Sequence, residues 1–245
     1  MKKTIKTILK FSVFGTYELV RDKKLLRQRN QQQKKLLDDY VANNRVKKLQ
    51  IGSGSNIFKG WLNTDLNQTE KIAFLDAGKP FPIESNSFDY IYSEHVFEHL
   101  TLEQQLNMLR EGKRVLKDDG IMRIATPSLD FLFNLYQNPT RSDSNEYVEW
   151  AVNRSPYLSL VKSSIEDSSQ HYCYVINNFF RAWGHQLIHN YTSLSKLALE
   201  VGYKDTRPCQ VSASEVPDLR NIEKHGTIIP PEMNLLETMV IEMIK

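Results

Sequence analysis

Cysteine is nearly absent from this chain: Cys173 and Cys209 stand alone among 245 residues, with no C-x-x-C or other ligand spacing. A disulfide framework and a cysteine-built zinc site are therefore excluded, and a reducing, cytoplasmic setting is expected. Apolar runs are also short, none near the roughly 18 to 20 residues that would span a bilayer. The first residues are basic and weakly apolar. They lack the continuous apolar stretch and small-residue cleavage site of a signal peptide, so none is expected. There is no internal repeat and no low-complexity segment. What remains is a composition of 40% hydrophobic and 25% charged residues, ordinary for a globular chain with room for one sizeable α/β core plus a cap.

Negative charge is scarce in one place. Residues 1–50 hold 14 Lys/Arg against 4 Asp/Glu, a balance of +10, while the rest holds 18 against 25, a balance of −7. A basic arm on an acidic body suits contact with an anionic surface, and it equally suits a solvated helix. Within residues 1–20, Ile5, Ile8, Leu9, Val13, Tyr17 and Val20 share a helical stripe, with Lys2, Lys3, Lys6 and Lys10 largely off it. Such a helix fits peripheral membrane contact, or packing on the body or on a second subunit. Residues 21–44 read as a long polar helix with few apolar anchors. The domain boundary is placed at residue 45, leaving a basic helical arm, 1–45, and one domain, 46–245.

From residue 46 strands begin to alternate with helices, which implies a mostly parallel sheet covered on both faces. Strands are expected at Val46–Ile51, Trp61–Asp65, Lys71–Asp76, Phe88–Ser93 and Ile121–Pro127, with a late one at Tyr203–Val211. Residues 101–117 and 192–202 read as amphipathic helices, the second ending at Gly202, and "DDG" before Ile121 reads as a turn. Residues 128–190 are aromatic-rich and strand-poor. They read as a helical cap over the carboxyl edge of the sheet.

In a doubly wound sheet, ligands sit at the carboxyl ends of the strands beside the switch point. "KLQIGSGSN" runs a strand into a loop where Gly52 and Gly54 let the backbone approach a ligand closely. Asp65 ends the second strand, where a carboxylate can accept hydrogen bonds from ribose hydroxyls. Asp76 follows the third strand and suits an adenine edge. Gly52 to Asp65 spans only 13 positions, too few for a three-turn helix, so a loop or a single turn is expected there. A dinucleotide fold needs that helix and a third glycine. Residue 57, where it would fall, is Ile.

"LQIGSGSNIFKGWLNTDLN", "PFPIESNSFDYIYSEHVFEHL" and "LKDDGIMRIATPSLD" together resemble class I S-adenosylmethionine-dependent methyltransferases. The likeness is nearest to a small bacterial branch whose glycine loop leads directly into "GW-x-N-x-D". It covers roughly residues 46–128 and extends more faintly through "WGHQLIHNYTSLSKLALEVGYKD". The resemblance implies a Rossmann-like, doubly wound, mostly parallel sheet of seven strands with a shortened first crossover. It implies S-adenosylmethionine as the cofactor, held by Gly52, Ser53 and Gly54, by Asp65 at the ribose, by Asp76 and Ala77 at the adenine, and by Ser93 and Glu94 below the sulfonium. It also implies a small-molecule or glycan acceptor, and the basic N-terminal helix would suit work near the inner membrane.

Methyl transfer from a sulfonium needs alignment above all, and a base only for an acceptor such as an alcohol. His95, just after the fourth strand, is the candidate base, and His185 of "WGHQLIHN" is a second active-site candidate, ahead of His189. His95, Glu98 and His99 would share a helix face, the pattern of a two-histidine, one-carboxylate metal site. The preferred reading gives Glu98 and His99 a structural role, and no metal is expected. Tyr172, Tyr174, Phe179, Phe180, Arg181 and Trp183 read as cap core rather than acceptor pocket. Two other functions compete. A non-catalytic scaffold would keep partner binding without Asp65. An RNA methyltransferase is disfavoured, since "SEHVFEH" stands where an Asn/Asp-Pro-Pro-Tyr signature would fall.

Overall fold

The computed structural model describes residues 31–245. The amphipathic stripe of residues 1–20, its proposed membrane contact and the start of the polar helix lie outside the described residues. The described helical part of the arm, α1 (31–43), packs on the domain. Its few apolar residues do the work: Leu36 and Leu37 lean on the main core and Tyr40 is buried in it. The Tyr40 hydroxyl donates to Gly60 O at 3.1 Å and accepts from Lys48 N at 2.7 Å, tying the helix to the first strand.

The sheet has seven strands in the order β3-β2-β1-β4-β5-β7-β6. They are β1 (Lys48–Ile51), β2 (Leu62–Asp65), β3 (Ala73–Phe74), β4 (Phe88–Glu94), β5 (Leu116–Pro127), β6 (Asp205–Cys209) and β7 (Thr238–Ile244). The first five pair in parallel, and β7 runs antiparallel between β5 and β6. The chain steps outward from β1 to β3 and returns at β4, so the switch point lies at the carboxyl ends of β1 and β4. The third strand is shorter than expected, and the expected "DDG" turn lies inside β5. There Asp119 has φ 62°, and the step from Leu116 to Ile121 on β5 faces only Phe88 to Tyr90 on β4. The extra residues are absorbed as a bulge.

Helix α2 (Leu102–Val115) starts at Thr101, whose side chain and that of Gln104 form a reciprocal capping box. Helix α7 (Tyr191–Val201) is capped by the Asn190 side chain and closes on Gly202 at φ 99°, a left-handed stop. Between them lie α3 (Leu129–Gln137), α4 (Ser142–Arg154), α5 (Ser159–Ser164) and α6 (His171–Arg181). This cap has its own core, in which Phe131, Leu135, Tyr147, Val152, Val175 and Phe179 are buried. Phe179 fulfils the cap-core expectation and Tyr172 packs against that core, whereas Tyr174, Phe180 and Trp183 are exposed.

The short connection after β1 holds no helix. The buried Asn63 amide takes the place of helical hydrogen bonds: its oxygen accepts from Phe58 N at 2.8 Å and its nitrogen donates to Phe58 O and Trp61 O. That leaves one face of β1, β4 and β5 without a covering first helix. The long connection from β6 to β7, residues 210–237, covers it instead, burying Leu219 and Ile222 against Trp61, Tyr92 and Ile121. This connection ends in α8 (Pro231–Glu237). Neither it nor β7 was assigned from the sequence.

Three polar anchors hold the connection down. Lys48 Nζ meets Asp218 at 2.7 Å. Arg123, with no exposed side-chain surface, meets Glu223 at 2.6 Å and Glu242 at 2.7 Å. Glu94 accepts the backbone N–H groups of Lys224 and His225 at 2.8 to 2.9 Å. Removing one member of a buried ion cluster strands the remaining charge at a cost of about 3–5 kcal/mol. Arg123→Ala is therefore expected to lose that much stability in urea unfolding, and a loss below about 1 kcal/mol, the range of an exposed pair, would contradict the role assigned here.

Candidate active site

Most of the expected cofactor residues stand at the carboxyl ends of β1, β2 and β4, while Asp76 and Ala77 follow the edge strand β3. Gly52 sits at φ 71°, and a side chain there would meet Val96 Cγ2 at 2.2 Å, so the loop closes on the segment after β4 only because residue 52 is glycine. Gly54, at φ 51°, faces open space. Asp65 is oriented by two backbone donors, Gly54 N at 3.0 Å and Asn67 N at 2.9 Å. Ser53 and Ser93 are buried, and their hydroxyls find no partner among the described residues. Asp76 caps Gly78 N at 2.9 Å and meets Lys79 at 3.3 Å, while Ala77 is buried beside it. Glu94 is spent on the two amides of the β6–β7 connection.

His95 leaves β4 with a left-handed backbone, φ 49°. The residues after it form a single 3-10 turn, Phe97–His99, and the next helix starts only at Leu102. The expected shared helix face of His95, Glu98 and His99 is therefore replaced by a tight turn, because the Thr101 cap begins a new helix there. Glu98 is completely buried. Its carboxylate takes His95 Nδ1 at 3.0 Å and the Thr126 hydroxyl at 3.0 Å, and its backbone oxygen takes Gln186 N and Leu187 N. One residue thus joins β4, β5 and the end of the cap.

Above this turn lies a cavity of about 810 Å³, bounded by the carboxyl edge of the sheet, α4, α6 and residues 225–230. Its walls are largely aromatic and apolar, with Tyr147, Trp150, Phe179 and Trp183 among them. Its floor is polar: His95, Glu98, His99 and His185 meet His225 and Glu237. His185 Nδ1 donates to Phe179 O at 2.7 Å, which leaves Nε2 as the acceptor nitrogen, and burial holds its pKa below 6.5. His189 is not part of this floor. Both its ring nitrogens are used, on Ser193 and Gln105.

His225, Glu237 and Tyr147 were missed by sequence reasoning. The rings of His95 and His225 lie 3.9 Å apart, centroid to centroid. Glu237 takes His225 Nε2 at 3.1 Å and the Tyr147 hydroxyl on its other oxygen. No local motif marks these residues; only the apolar run "TMVIEMI" hinted at a strand that would carry Glu237 to the sheet edge.

Residues 49–124 match the family model of a methyltransferase domain. No curated protein matches the sequence. Among solved structures, an S-adenosylmethionine-dependent methyltransferase of Archaeoglobus fulgidus is 14% identical over 89% of this chain and 94% of its own, with a TM-score of 0.44. One of Thermotoga maritima is 13% identical over 81% and 82%, with a TM-score of 0.43. A phosphoethanolamine N-methyltransferase of Haemonchus contortus, solved with S-adenosylmethionine, is 14% identical over 82% of this chain and 49% of its own, at 0.39. Likenesses this remote carry no argument about acceptor or mechanism. The family match over residues 49–124, on a sheet of Rossmann-like order, supports S-adenosylmethionine-dependent methyl transfer.

Burial alone would depress the His95 imidazole, but the hydrogen bond and charge of Glu98, with Glu237 and Glu94 behind it, hold its pKa above 6.5. Burial would likewise raise Glu98, yet its contacts with His95 hold it below 4.5. A raised histidine stabilises the fold fully below its unfolded pKa and loses that contribution as pH rises through the folded value. A lowered carboxylate contributes above its unfolded value and loses that on acidification. The pair is therefore at full strength between about 4.5 and 6.5. The stability of the wild-type chain is expected to fall as pH rises from 6.5, and Glu98→Gln is expected to flatten that fall. Equal slopes in urea unfolding of the two proteins would refute the coupling.

Proposed function

We propose that the chain transfers the methyl group of S-adenosylmethionine to a hydroxyl of a small-molecule or glycan acceptor lying in the cavity above His95. The observation that carries this reading is the cavity itself: about 810 Å³, apolar-walled and polar-floored, at the carboxyl edge beside the switch point. Its size and its aromatic walls suit a ring-sized acceptor better than a flat nucleic-acid or protein surface.

The residues at the switch point fit the cofactor. Gly52 and Gly54 bring backbone close to its amino-acid portion, and the partnerless hydroxyls of Ser53 and Ser93 offer polar contacts there. The Asp65 carboxylate is aimed by two amides and keeps acceptor capacity for ribose hydroxyls. Asp76 and Ala77 border the adenine. When bound, S-adenosylmethionine supplies an electrophilic methyl that needs an aligned nucleophile in a dry site.

On the acceptor side, the cap walls the cavity and His95 lines its floor. Its Nε2 is buried and free of any partner among the described residues, while Nδ1 is fixed by Glu98. In this reading Nε2 takes the acceptor's proton and Glu98 stabilises the imidazolium that forms. The reaction belongs in the cytoplasm, and the basic segment 1–20 is proposed to touch the anionic inner face of a membrane. The support for that contact is its charge and apolar stripe. Among the described residues no helix is long and apolar enough to cross one.

Incubating the protein with methyl-labelled S-adenosylmethionine and the small-molecule and glycan fractions of a cell extract is expected to label a product. Asp65→Ala is expected to lose that labelling through cofactor affinity lowered by about tenfold or more. Label appearing only in protein or RNA would overturn the acceptor class.

A further inference from the structure

His95, His225 and Glu237 come from three separate elements: the turn after β4, the 3-10 turn His225–Thr227, and the end of α8. Their ligand-capable atoms all lie within 4.8 Å of one another. Two imidazoles and one carboxylate with an open side toward a cavity form the donor set of a divalent transition-metal site. We propose that this triad binds such an ion at the floor of the acceptor cavity.

The surroundings support the assignment. A metal-bound histidine ordinarily donates its other ring N–H to a carboxylate, which fixes the tautomer and strengthens the ligand nitrogen. His95 does this: Nδ1 is held by Glu98 at 3.0 Å and Nε2 is buried with no partner. Glu237 is oriented in the same manner, because the Tyr147 hydroxyl donates to one of its oxygens while the other lies 3.1 Å from His225 Nε2. Ligands each about 2.1 Å from an ion sit at most about 4.2 Å apart, so the set must close by roughly half an ångström. Side-chain torsions can absorb that.

Among the described residues a second group, Glu98, His99 and His185, also satisfies the spacing. It is the weaker candidate, because both Glu98 oxygens already serve His95 and Thr126 and His99 is half exposed.

The inference rests on the proposed function only in placing the acceptor in this cavity, and it refines the proton step. A hydroxyl bound to the ion would be acidified by it, as water is by zinc. Its proton would pass to the acceptor nitrogen of His185 on the same floor. The oxygen would bond to the methyl carbon as the carbon–sulfur bond breaks, and His95 would serve as ligand instead of base.

The test is isothermal titration of Zn2+ into the full chain after chelator treatment, with S-adenosylmethionine titrated into the same preparations. One Zn2+ per chain is expected, with affinity lower by about tenfold or more in both His225→Ala and Glu237→Gln and unchanged in His99→Ala. Retained S-adenosylmethionine binding reports that each variant is folded. Absence of stoichiometric Zn2+ binding in a chain that binds S-adenosylmethionine overturns this proposal alone. Loss of Zn2+ in His99→Ala with retention in His225→Ala overturns it in favour of the second group. Zn2+ binding without S-adenosylmethionine binding supports the metal site and counts against the proposed function.

Discussion

Thirteen positions separate Gly52 from Asp65, and most of the architecture follows from that shortage. A crossover this short cannot hold a helix of ordinary length, so Asn63 staples it as a loop and one face of the sheet's centre is left bare. Apolar surface on β1, β4 and β5 must still be removed from water. The β6–β7 connection does this, folding back across the sheet with Leu219 and Ile222 inward. The buried Arg123 explains why it lies in one place: Glu223 of the connection and Glu242 of β7 are the partners that make its burial tolerable.

The substitution of a late connection for an early helix also changes the chemistry of the site. Glu94 is drawn away to cap the connection, and in exchange the connection delivers His225 and α8 delivers Glu237 to the cavity floor. The floor is thus assembled from distant parts of the chain: His95 and Glu98 from the centre of the sheet, His225 and Glu237 from its last excursion. The cap closes it from above with Tyr147, whose hydroxyl reaches down to Glu237. Cap, sheet and connection are held together by polar contacts at the floor of the cavity.

The loop and strand ends proposed to face the cofactor were legible in the sequence as structure, because their signals are local. Gly-Ser-Gly, Asp65 and the short span to it lie within one segment, and each follows from strand ends and turn geometry. The cap was legible as a helical, aromatic insertion for the same reason. The cavity floor was not, because it depends on contacts between residues more than a hundred positions apart, such as Arg123 with Glu242 and Glu94 with His225. His95 was singled out from the sequence, but its neighbours were placed on a helix that the Thr101 cap forbids. The strand β7 was overlooked because it follows a turn-rich stretch whose few apolar residues show no period.

The central claim is that the cofactor lies across the carboxyl ends of β1 and β2 with its sulfur directed at the polar floor of the cavity. A crystal structure of the chain with S-adenosylhomocysteine tests it most directly. The account predicts the ribose at Asp65, the amino-acid portion over Gly52 and Gly54, and the sulfur facing His95. A nucleoside seated elsewhere, or a sulfur turned away from the cavity between His95 and His225, would contradict it.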